Sequence, residues 1–148
     1  MISLEGPDLS GKTSLYESLH DLTKYKWNIQ DRSALSMLIY ARLYGRNDFY
    51  HVENVKAELS SLNNIIILLL PEWSIIVKRF EKRGDNIQNF ASLRKVYNLF
   101  LEAASELKNH PNVIVVNSVI TKETTARLLK SLISYEQKSF ASMSKTFF

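Results

Sequence analysis

Cysteine is absent from the chain, which excludes disulfide staples and thiolate zinc sites and fits a reducing, cytoplasmic location. Histidine is almost as scarce. His20, His51 and His110 are scattered without the spacing of a metal site and are assigned to surface or structure. No run of about 18 apolar residues occurs, and the chain opens directly on a strand and a loop, so neither a membrane span nor a signal peptide is expected. Glycine numbers four and proline three, too few for a linker-rich or low-complexity chain. What is present is ordinary for one globular domain: 148 residues, 45% hydrophobic and 23% charged. The net charge of +4 admits anionic partners, whether nucleotides or nucleic acid.

Two of the few glycines fall in one motif. Gly6-Pro7-Asp8-Leu9-Ser10-Gly11-Lys12-Thr13 is a complete G-x-x-x-x-G-K-[ST] phosphate-binding loop. The apolar run 1–4 leads into it as a strand, and Thr13-Ser14-Leu15 leaves it as a helix. Glycines let the backbone curl so that successive N–H groups point at a polyphosphate. Asp8, Leu9, Ser10, Gly11, Lys12, Thr13 and Ser14 are therefore expected to cradle the phosphates of a nucleoside triphosphate. Lys12 would reach the β- and γ-phosphates, and the Thr13 hydroxyl would bind Mg²⁺.

Beyond the loop, short strands alternate with longer helices. Leu15, Leu19 and Leu22 recur with helical spacing over 12–23, and 25–31 alternates as a second strand ending at Asp31. Helical patterns follow over 33–42, stopped near Gly45, and over 49–62, closed by Asn63-Asn64. Residues 65–70 are continuously apolar, as in a strand buried on both faces. Pro71 is expected to open the next helix, running to about Lys82. Gly84-Asp85-Asn86 reads as a loop, 90–108 as a helix, and 113–116 as the last strand. A final helix starts at Thr121 or Thr124 and runs to about Tyr135. The segment 136–148 lacks periodicity and is expected to be a separate, mobile tail to a domain spanning 1–135.

Four apolar strands joined by helical crossovers, the first running into the phosphate loop, predict an α/β fold: a doubly wound parallel sheet of P-loop NTPase architecture. Ligands in such sheets bind beyond the carboxyl ends of the strands. That rule singles out the loop, Asp31-Arg32, Pro71-Glu72 and Asn117-Ser118. No N-K-x-D element is present to read guanine as a GTPase would.

These residues resemble the thymidylate kinase-like group. Glu5-Gly6-Pro7-Asp8-x-x-Gly11-Lys12-Thr13 is similar to its E-G-x-D-x-x-G-K-T loop. Asp31-Arg32-x-x-x-Ser36-x-x-x-Tyr40 is similar to its D-R-Y-x-x-S-x-x-A-Y-Q segment and to the D-R-S of deoxynucleoside kinases. Arg79-x-x-x-Arg83-Gly84 resembles its lid, and 93–97 its tyrosine-bearing helix. The resemblance covers residues 1 to about 118. It implies an ATP- and Mg²⁺-dependent phosphotransferase acting on a nucleotide or nucleoside, with a homodimer as one admissible assembly. Lys12, Arg79 and Arg83 would act on the transferring phosphoryl, the arginines arriving as a lid closes. Asp31 would hold Mg²⁺ or take the acceptor's proton. Asp8, Arg32, Ser36 and Tyr40 would bind the acceptor.

Two departures stand out. The strand–helix unit that the family carries between its first helix and the D-R strand is missing, and Ala41 replaces the base-reading glutamine. The acceptor side is thereby pared down and open. A hydroxymethyl-type base within DNA is the alternative acceptor, and a nucleotide-binding module without catalysis is the alternative class.

Overall fold

The computed structural model describes the backbone of residues 1–84 and 87–147, and the side chains of 1–84 and 89–135. Four parallel strands, β1 (Ile2–Glu5), β2 (Ile29–Asp31), β3 (Ile65–Leu69) and β4 (Val113–Val116), form one sheet in the order β2-β1-β3-β4. Among the described residues the sheet is joined by six helices: α1 (Lys12–Thr23), α2 (Ala34–Leu43), α3 (Phe49–Ser60), α4 (Trp73–Arg83), α5 (Ile87–Leu107) and α6 (Lys122–Phe147).

The continuously apolar β3 explains the layering. Its side chains alternate: Ile66 and Leu68 join one buried cluster, while Ile65, Ile67 and Leu69 join another. The first cluster takes its helical residues from α2, α3, α4 and α5, including Leu35, Ile39, Ile76 and Phe100. The second takes Leu15 and Leu19 of α1 and Leu128 and Leu132 of α6. The sheet is thus covered on both faces, the doubly wound arrangement that the strand–helix alternation predicts. The chain leaves β1 toward β2 on one side, while β3 lies on the other. The crevice at the carboxyl ends of β1 and β3 is the topological switch point.

Four boundaries differ from expectation, each for a local reason. The second strand is short, because Lys24 and Tyr25 take left-handed conformations (φ 53° and 59°) and Tyr25 N–H turns back to the His20 carbonyl at 3.0 Å. The alternation of 25–28 wraps a helix end and belongs to no strand. Pro71 does not open α4. Its carbonyl accepts from the Tyr97 hydroxyl at 2.8 Å and Glu72 is extended, so the helix begins at Trp73. Helix α5 begins at Ile87, ahead of Phe90; the loop expected at Asp85-Asn86 lies outside the described residues. Helix α6 continues past Tyr135 to Phe147, and 136–147 contains neither proline nor glycine to stop it. Its amino end is fixed by Thr121, whose hydroxyl accepts from Thr124 N–H at 3.1 Å while Thr124 Oγ1 accepts from Thr121 N–H at 2.7 Å.

At the amino ends of the strands, Asn112 is 1% exposed and fully engaged. Its Nδ2 donates to the carbonyls of Leu59 and Ser61, each at 2.9 Å, and its Oδ1 accepts from the Tyr135 hydroxyl at 2.6 Å. One buried amide joins α3, β4 and α6. Among the described residues no helix is long and apolar enough to cross a membrane.

Candidate functional site

The loop between β1 and α1 is shaped by main-chain constraints. Gly6 has φ 145°, and a Cβ there would stand 2.5 Å from the Leu69 carbonyl oxygen and 2.9 Å from Ser10 Oγ. The loop therefore lies hard against the end of β3, and only glycine permits that approach. Gly11 has space for a Cβ but holds φ 102°, a conformation that L side chains rarely adopt. Leu9 is also left-handed, at φ 67°. Lys12 folds across its own loop, its ammonium donating to the carbonyls of Gly6 at 2.6 Å and Pro7 at 3.1 Å. Burial holds its pKa below the usual lysine value, and the nearby Arg32 charge pushes the same way. The first residues of α1 add the positive end of a helix to the same spot.

A cavity of about 440 Å³ opens over this loop, lined by residues 8–14 together with Asp31, Arg32, Arg79 and Arg83. Arg79 donates to the Leu9 carbonyl at 2.6 Å. Both arginines stand on α4, whose Ile76 and Phe80 are buried in the core. Arg79 is thus already seated on the loop and does not have to arrive with a closing lid. Gly84, at φ 72°, caps the carboxyl end of that helix through N–H contacts to the Phe80 and Glu81 carbonyls. Thr13 and Asp31 face the same cavity, and no cluster of three or more metal-ligating side chains exists among the described residues. Two protein oxygens beside a polyphosphate suit Mg²⁺, which keeps most of its water.

A second cavity of about 320 Å³ adjoins the first and shares Asp8, Leu9 and Arg83 with it. The rest of its wall comes from α2 (Tyr40, Leu43) and the residue that caps it (Tyr44), α4 (Phe80) and α5 (Asn89, Ser92, Leu93, Val96). Arg32 stands where the loop meets α2. Its backbone is left-handed at φ 72°, with N–H donating to the Leu4 carbonyl at 2.9 Å. Its guanidinium reaches Asp8 Oδ1 and Ser36 Oγ, each at 3.4 Å, and lies 5.7 Å from the centre of the Tyr40 ring.

Neither a family model nor a curated protein sequence matches the chain. Among solved structures it is similar to the YorR protein of Bacillus subtilis, in complex with phosphorylated GDP, with a TM-score of 0.71 over 93% of this chain and 97% of that one at 19% identity. The chain has the P-loop α/β fold.

Within that fold the structure gathers most of the residues singled out from sequence. Lys12, Thr13, Asp31, Arg32, Arg79 and Arg83 share one cavity, and Asp8 borders both. Tyr40 lines the second. Ser36 does not: it is 4% exposed and sits behind Arg32, its hydroxyl donating to Glu5 Oε2 at 2.6 Å. Glu5, which the sequence placed in the family-like loop motif, was given no role there. It is 0% exposed at the end of β1, and its Oε1 accepts from Ser33 N–H at the start of α2. Burial raises its pKa above the usual carboxylate value, against the opposing hydrogen bonds from Ser36 and Ser33. A carboxylate closing a buried apolar strand was the signal available in the sequence.

Proposed function

We propose that the chain transfers the γ-phosphoryl group of ATP to a nucleotide, nucleoside or nucleotide-like acceptor, in the manner of the thymidylate kinase-like enzymes that its motifs resemble. The observation that carries this reading is the pair of cavities meeting at Asp8, Leu9 and Arg83. A nucleotide sensor needs the first cavity alone. A phosphotransferase needs two, touching where the phosphoryl group passes. That the YorR protein, of similar fold, was solved in complex with phosphorylated GDP supports a nucleotide as the ligand here.

Loop N–H groups and the α1 amino end hold the donor's phosphates, and Lys12 exchanges its own-loop carbonyls for phosphate oxygens. Thr13 would hold Mg²⁺, joined by Asp31 where the acceptor is a phosphate and no proton has to be taken, and the ion would supply neutralisation of the donor's phosphate charge. The acceptor oxygen attacks the γ-phosphorus from the second cavity. The bond from that phosphorus to the β–γ bridging oxygen breaks, and ADP departs. Arg79 and Arg83 stabilise the negative charge spread over the transferring group. Arg32 grips an acceptor phosphate in a bidentate fork, Asp8 meets an acceptor hydroxyl, and Asp31 takes the proton where the acceptor is a hydroxyl.

The test is a transfer screen with γ-labelled ATP, and GTP in parallel, against nucleosides, deoxynucleoside monophosphates and DNA oligomers. Label appearing in one acceptor class at a rate that Lys12→Ala abolishes supports the reading. ATP binding without transfer to any of them overturns it in favour of a binding module.

A further inference from the structure

We propose that Glu5 is a positioning residue for the acceptor side: through Ser36 it fixes the Arg32 guanidinium on the wall of the first cavity, against Asp8, which borders both cavities, and the ring of Tyr40, which lines the second. The proposal rests on the reading of Arg32 as the acceptor's grip.

Glu5 closes β1 immediately before the loop, yet its side chain turns to α2. One oxygen takes Ser33 N–H, the first free donor of that helix, and the other takes the Ser36 hydroxyl proton at 2.6 Å. A carboxylate can only accept, so it forces the Ser36 proton toward itself and leaves the Ser36 lone pairs aimed elsewhere. Arg32 Nη1 lies on that other side, 3.4 Å from Ser36 Oγ. The result is a directed chain, Glu5 to Ser36 to Arg32, running from a fully buried anion to a half-exposed cation.

Two further facts argue that this is more than a helix cap. Arg32 adopts φ 72°, an unfavourable backbone for a residue with a Cβ, and such strain persists where neighbouring contacts over-determine it. The contacts here are Leu4 on its N–H and Ser36, Asp8 and Tyr40 on its guanidinium. A carboxylate with no exposed surface is also an expensive way to tie a strand to a helix, where an apolar side chain would pack at lower cost. What the carboxylate adds is the polarity that orients Ser36.

The experiment compares Glu5→Gln and Ser36→Ala in the full chain. Glutamine keeps the size and the acceptor for Ser33 N–H but presents an N–H₂ group to Ser36, reversing the chain's polarity. Both variants should fold and bind ATP within about twofold of the parent by calorimetric titration, because the loop is untouched. The Arg32 Nε–Hε resonance, assigned by its loss in Arg32→Lys, should move to the position of a free arginine side chain in both variants. With whichever deoxynucleoside monophosphate the screen finds active, the acceptor KM should rise about tenfold or more while kcat changes less. The double variant should be no worse than either single one, as for members of one chain. An Arg32 resonance unchanged in Glu5→Gln overturns the proposal, as does a fall in ATP affinity equal to the rise in acceptor KM. If the parent chain transfers phosphate to nothing, the resonance arm still decides the Glu5–Arg32 link, so that failure of the kinase reading is separable from failure of this one.

Discussion

The cavity over the phosphate loop is lined mainly by one continuous segment, residues 8–14, held in fixed backbone conformations, whereas the cavity beside it gathers most of its lining from three separate helices and their ends. In the first, Gly6 lies against the Leu69 carbonyl, Leu9 and Gly11 are left-handed, and Lys12 and Arg79 are held by loop carbonyls. In the second, Tyr40, Tyr44, Phe80 and Val96 define the space, and Arg32, on the wall of the first, is placed by a relay of side chains and meets the second through Asp8 and the Tyr40 ring. The lesson is one of tolerance. A backbone-built site accepts few substitutions and holds one ligand chemistry. A side-chain-built site can be re-cut residue by residue, and its preference can drift while the first stays constant.

The sharpest break in the comparison is Lys12→Ala. The loop's backbone survives and only the ammonium is lost, so phosphoryl transfer should drop by about a hundredfold or more with the fold intact. Turnover near the parent value at an unchanged circular dichroism spectrum would remove Lys12 from the chemistry.

Next come Arg79→Ala and Arg83→Ala. Each should lower kcat by about ten- to a hundredfold, with the ATP KM changed less, since the charge they meet develops during transfer. Arg79→Ala should also loosen Leu9, its carbonyl partner. Steady-state kinetics on the two variants that leave kcat untouched would return both to an ordinary helix surface.

Smaller still is the effect of salt on the second cavity. A free nucleotide carries few phosphates, so its KM should rise only shallowly between low and physiological salt. A DNA acceptor should show a steep rise, as Lys and Arg contacts release condensed counterions. Arg32→Ala should raise the KM of a phosphate-bearing acceptor and flatten that slope. Measured slopes therefore assign the acceptor to one class or the other.

The mildest expected signal comes from the buried carboxylate. The pKa of Glu5 is raised in the folded chain, so its contribution to stability is full below the ordinary value of 4.5 and is lost as pH rises through the folded value. Glutamine at this position does not titrate. The melting temperature of the parent minus that of Glu5→Gln should therefore grow as pH falls from neutral toward 4.5. A difference that shrinks on acidification would contradict the burial of an ionisable group there.

The same division explains what could be read from the sequence. The loop was legible in full, because a backbone-built site needs glycine and lysine at fixed offsets and leaves a motif. The sheet followed from the apolar runs 65–70 and 113–116, since strands covered on both faces have no polar side to disguise them. The second cavity left only fragments: Tyr40 was found through spacing, while Tyr44, Phe80 and Ser92 come from segments with nothing in common but their meeting place. Ser36 was placed on the correct helix but with the wrong neighbour, as spacing gives the face of a helix and not what covers it. Glu5 was read only as a motif letter, without a role, because its partners lie in another element, brought near by the β1–β2 pairing that sets Leu4 beside Asp31.

Asn112 carries a consequence of a different kind. It lies at the amino ends of the strands, at the far end from the phosphate loop, and its three hydrogen bonds gather α3, β4 and α6. Replacing it with alanine leaves buried carbonyls without donors, a loss of about 1–3 kcal/mol per unsatisfied group, and touches neither cavity. Each remaining folded molecule should work as before, but fewer would survive cellular quality control as temperature rises. Heritable variation in this protein would then divide by geography: changes at one end altering what it does, and changes at the other altering how much of it there is.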